Sequence, residues 1–68
     1  MEENTKKIAA LLDHLVHHNE HHAEEIHELA ENAKKAGNDE AAAFIAEGVT
    51  LMDQSNKKLR EALKVLTE

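Results

Sequence analysis

Apolar or small residues recur at alternating spacings of four and three along nearly the whole chain, and one short stretch interrupts them. The first run is Ile8, Leu12, Leu15, Asn19, His22, Ile26, Leu29, Ala33 and Ala36. The second is Ala41, Ile45, Gly48, Met52, Ser55, Leu59, Ala62 and Leu66. This spacing keeps one stripe of a 3.6-residue helix turned toward a neighbour, and it does not match the two-residue period of a strand. The interruption is Gly37-Asn38-Asp39. Gly37 suits the left-handed position that ends a helix, and Asn38 or Asp39 can cap the next one. Lys34 and Lys35 before the break and Glu40 after it have the signs that favour the helix dipoles there. The reading is a single helical-hairpin domain over residues 1–68, with helix 1 from about Thr5 to Ala36, a turn at 37–39, and helix 2 from about Asp39 to Leu66.

Leu11, Phe44, Leu51 and Leu63 widen both stripes beyond the narrow seam of a two-stranded coiled coil. A short turn makes the two helices antiparallel neighbours. Two helices alone cannot cover stripes this broad. A chain of 68 residues buries only roughly 60% of its unfolded surface, and without cysteine it has no disulfide to compensate. The expected fold is all-α: an antiparallel two-helix hairpin that associates into a homodimeric four-helix bundle.

A formal net charge of −6 argues against nucleic acid and against an anionic membrane surface, which both select clustered Lys and Arg. Phe44 is the one aromatic residue, so no base-stacking platform is present. The start Met1-Glu2-Glu3-Asn4 is acidic and no long apolar run follows, so a cytoplasmic protein without a membrane span is expected. No phosphate loop or nucleophile motif is legible, which makes catalysis the weaker expectation.

The chemistry concentrates where helix 1 breaks its own pattern. All six histidines fall between His14 and His27. His14, His18 and His22 step by four along one stripe that leans into the seam, and Glu25 continues it. Histidines at i and i+4 can place both imidazoles on one ion, as in zinc-binding helices. Imidazole suits Ni, Zn, Co and Cu. His18 and His22 from two copies would supply four nitrogens near a twofold axis. Alternatively, each chain would hold its own ion with His14, His18, His22 or Glu25. Folding at Gly37 sets Asn19 near Asn56, and His22 near Met52 and Ser55, so a polar layer lies between two apolar ones. Asn19, Ser55 and Asn56 are then candidates to orient the rings or, more blandly, to fix the pairing register. Met52 reads as core filling, and His17, His21 and His27 as solvated surface. Glu24-x-x-His27 spells a di-iron motif, but Glu24 points away from the seam.

The stretch His14-Leu15-Val16-His17-His18-Asn19-Glu20-His21-His22-Ala23-Glu24-Glu25-Ile26 resembles a small uncharacterised family of helical-hairpin proteins from methanogenic archaea and anaerobic bacteria. That family shows a pattern H-W-x-x-H-N-x-x-H-A-x-x-F. His14, His18, Asn19, His22 and Ala23 match it, with Asn56 as the second-helix counterpart. The resemblance implies a hairpin and a functional set of His14, His18 and His22, and it implies no activity. Leu15 replaces the tryptophan, and the histidines at 17, 21 and 27 are additional. The expected function is that of a transition-metal carrier, buffer or metallochaperone serving a client metalloprotein. The competing expectation is a structural or protein-interaction bundle whose His/Asn layer fixes pairing or responds to pH, since imidazole gains charge on mild acidification.

Overall fold

Helix α1 spans Glu2–Lys35 and α2 spans Asp39–Thr67 in a computed structural model that describes residues 2–68. Met1, the first residue of the expected domain, lies outside the described residues. The turn forms as its residues dictate. Gly37 adopts φ +86°, a region that costs an L side chain about 1–2 kcal/mol. The Asn38 N–H then donates to the Ala33 carbonyl at 2.9 Å and the Gly37 N–H to that of Lys34 at 3.0 Å, the paired bonds of a Schellman ending. Lys34 and Lys35 occupy the last turn of α1, and Asp39 and Glu40 the first turn of α2. Asn38 takes the N-cap position, but its side chain makes no capping hydrogen bond. Its carbonyl accepts from the Ala42 N–H at 2.9 Å, the first i, i+4 bond of α2.

The two helices pack along their full length into a rod of 53 × 15 × 12 Å. The buried apolar residues are Val16, Ala23, Ala30, Ala42 and Val49, none of which the four-three runs had named. Together with half-buried Ala9, Leu12, Ile26, Ala33, Ile45, Met52, Leu59, Leu63 and Leu66, they form the contact between the helices. The expected seam is therefore rotated. Leu12, Asn19, Ile26 and Ala33 belong to it as read, while Ile8, Leu15, His22 and Leu29 turn to the outside. On α2 the same rotation brings in Ala42, Val49 and Asn56 and leaves out Ala41, Gly48, Ser55 and Ala62. The physical reason is size. Small residues let two helix backbones approach, and the column through Val16, Ala23 and Ala30 is smaller than the column through Leu15 and Leu29.

This inverts the usual burial of apolar groups. Ile8, Leu11, Leu15, Leu29, Phe44, Leu51 and Val65 remain 45–70% exposed, whereas the interior is mostly alanine and valine. The hairpin exposes 5514 Å², against roughly 4,300 Å² for a compact protein of 7.6 kDa. Its radius of gyration, 15.7 Å, likewise exceeds the roughly 11 Å of a compact chain this long.

Candidate functional site

Six histidines within four turns cannot share one helical face, and α1 distributes them around its circumference. His18 and His22, one turn apart, meet. Their Nε2 atoms stand 2.8 Å from each other, and the rings cross edge to face with centroids 4.2 Å apart. On the other side of the second ring, His22 Nδ1 lies 3.1 Å from Glu25 Oε1. An ionised carboxylate only accepts, so any proton between the two groups is carried by the His22 ring. One of the two facing Nε2 atoms donates to the other, in a direction set by the ring tautomers. A carboxylate beside the far nitrogen of a ring is the kind of neighbour that orients histidines in metal sites generally.

Two nitrogens ~2.0–2.1 Å from one ion stand about 2.9 Å apart at a right angle and about 3.3 Å apart in a tetrahedron. The 2.8 Å separation is thus close to what an ion bridging both rings requires. An ion there would be held by His18 and His22. The pair is exposed on the hairpin rather than central to its seam, with the His22 side chain at 50%. His14 is exposed one turn before His18. Among the described residues, no three side chains of His, Cys, Asp or Glu are grouped so as to hold a metal ion. One chain brings together two imidazoles and a carboxylate beside one of them.

The other three histidines each face a carboxylate on the surface. His17 Nδ1 is 2.9 Å from the Asp13 carbonyl and 3.3 Å from its carboxylate, His27 lies 3.2 Å from Glu31, and His21 lies 3.9 Å from Glu25. Exposed pairs of this kind are worth little. Glu24 and His27 line an open groove with Glu20, Asp53 and Arg60, on the flank of the hairpin away from the His18–His22 pair.

The asparagines lie at the expected level. Asn19 and Asn56 line one shallow pocket with Leu51, Met52 and Ser55. Asn56 is only 5% exposed, and its Nδ2 is buried without a hydrogen-bond partner. Asn19 is half-buried and Ser55 exposed, and no hydrogen bond joins either to a histidine among the described residues. One contact was not anticipated. Arg60 donates from Nε and Nη2 to the two carboxylate oxygens of Glu20 at 2.7 and 2.6 Å. The bidentate bond to Arg60 holds the Glu20 carboxyl below the usual range and raises the Arg60 guanidinium. Both residues fall outside the four-three runs, so apolar periodicity alone could not reveal the pair. Opposite charges on the same flank of an antiparallel hairpin were the available signal.

Fold and site together define a small antiparallel helical hairpin carrying a histidine pair on one exposed flank. The chain belongs to the family described as a domain of unknown function, DUF8180, whose sequence profile matches residues 8–66. That match takes in most of both helices and assigns no activity. No curated protein and no solved structure matches the chain. Among the described residues, no helix is long and apolar enough to cross a membrane.

Proposed function

We propose that this protein binds a divalent transition metal (Ni, Zn, Co or Cu) as a small cytoplasmic carrier, buffer or metallochaperone, and that it does so as a homodimeric four-helix bundle. The observation that carries the reading is the 2.8 Å approach of His18 Nε2 to His22 Nε2, with Glu25 holding the far nitrogen of His22. Imidazole nitrogens without thiolates favour these metals over harder ions. His14 lies next along the stripe as a further ligand, and Asn19, Ser55 and Asn56 form the polar layer behind it. Dimerisation is supported by the apolar surface left open. The hairpin's excess of about 1,200 Å² over a compact protein exceeds the roughly 800 Å² that one partner contributes to a standard interface.

Calorimetric titration of tag-free protein with each metal tests this, beside a His18→Ala/His22→Ala variant. Saturable binding that the variant loses is expected. Absence of any binding tighter than about 10 μM would refute the reading.

A metal-free structural bundle is the second reading, favoured by the unpartnered amide of buried Asn56, since polar core groups often fix pairing at a cost in stability. A dimer indifferent to chelator and stabilised by His22→Leu would support it.

A further inference from the structure

The two flanks of the hairpin differ. One is closed by the Glu20–Arg60 ion pair, and the other exposes Ile8, Leu15 and Leu29 beside His22. We propose, building on the metal-binding reading above, that a second copy covers this apolar flank with its α1 antiparallel to the first α1. The twofold axis lies level with Glu20 and His21, and on it His18 and His22 of both copies hold one ion.

The register of the apolar layers supports this without reference to any metal. Half-buried Leu12, Asn19, Ile26 and Ala33 and their outward neighbours Ile8, Leu15, His22 and Leu29 form the surface that a second copy would meet. Pairing Ile8 with Ala33, Leu12 with Leu29, Leu15 with Ile26, and Asn19 with His22 matches apolar to apolar and polar to polar. Every one of these pairs has its midpoint between Glu20 and His21.

Helix α2 gives an independent reading. Ala41 with Leu66, Ile45 with Ala62, Gly48 with Leu59, and Met52 with Ser55 set a small residue against a larger one, and all share a midpoint between Asp53 and Gln54. Asn19 and Asn56 line one pocket, and taking them as level puts the α1 midpoint opposite Gln54 and Ser55. The two readings of the axis differ by one residue, about 1.5 Å. Gly48 also finds a role here. A Cβ added to it would meet nothing within 4 Å in the hairpin, so the hairpin itself does not require a glycine in mid-helix. Leu59 of the second copy does.

The midpoint of the His18–His22 pair is Glu20, half a residue from that axis. Each copy supplies two Nε2 atoms that already converge, and the second copy supplies the other two. Opening each pair from 2.8 Å to about 3.3 Å gives a tetrahedral site. Among the described residues of one chain no three ligands are grouped to hold an ion, and the site is complete only across the axis. The other way of closing the bundle, α1 against α2 of the second copy, separates the histidine pairs and gives one ion per chain.

The chain lacks cysteine, so a nitroxide on Lys35→Cys labels one exposed site per copy. Antiparallel α1 helices place the two labels about 44 Å apart, from 29 residue steps at 1.5 Å. The alternative closure puts them at the same level, within roughly 25 Å. Zn²⁺ titration should give one ion per two chains, and His18→Ala should abolish binding while leaving the label distance unchanged. A short distance, an absent dipolar coupling, or one ion per chain overturns the proposal, and the last of these spares the metal-binding reading. A long distance with no Zn²⁺ bound overturns the four-histidine zinc site, and the metal-binding reading falls with it only if Ni²⁺, Co²⁺ and Cu²⁺ also fail to bind.

Discussion

Replacing Asn56 by leucine should stabilise the protein while loosening its choice of partner orientation. The side chain is 5% exposed and its Nδ2 has no acceptor, which costs about 1–3 kcal/mol for an amide stripped of water. A leucine at the same place removes that cost and buries apolar surface worth about 1.5–3 kcal/mol. Its extra volume in a contact built of alanine and valine takes back about 1–3 kcal/mol. The expected net is a gain of about 1–3 kcal/mol per chain, read as a higher urea midpoint at fixed protein concentration. The polar layer is also what separates one register from another, so Asn56→Leu should broaden the distribution of label distances from Lys35→Cys. A loss of stability greater than about 1 kcal/mol would show that the amide is hydrogen-bonded in the assembled protein, and the reasoning would fail.

Gly37→Ala places a Cβ at φ +86° and should cost about 1–2 kcal/mol, visible as a lower Tm by circular dichroism. Glu20→Gln tests the ion pair across the helices. Because Arg60 depresses the folded-state pKa of Glu20, the pair's contribution is fully present above the ordinary glutamate pKa near ~4.3 and is lost as pH falls through the lowered value. The variant's urea midpoint should therefore fall less between about pH 7 and about pH 3 than the parent's does. Glu25→Gln keeps both imidazoles but removes the carboxylate charge beside His22 Nδ1, and should reduce metal affinity about tenfold by calorimetry. Unchanged affinity would remove Glu25 from the site.

Much of the hairpin was legible in the chain because its signals are local. Four-three periodicity, the left-handed glycine and the charges beside it act within a few residues, and the helix ends fell within three residues of the expected ones. The level of the polar layer followed from folding at Gly37, and Asn19 and Asn56 do share a pocket. Which of three adjacent columns faces the partner helix was not legible. Leu15, Val16 and Asn19 each lie within one broad apolar arc, and a wheel ranks them by hydrophobicity, which favours the large residues. Packing ranks them by how closely the backbones can approach, which favours Val16, Ala23 and Ala30. The sequence alone therefore determined two helices, their turn and the i, i+4 histidine spacing. The tertiary structure decided that the large apolar residues and the His18–His22 pair face outward, because small side chains had already claimed the contact between the helices.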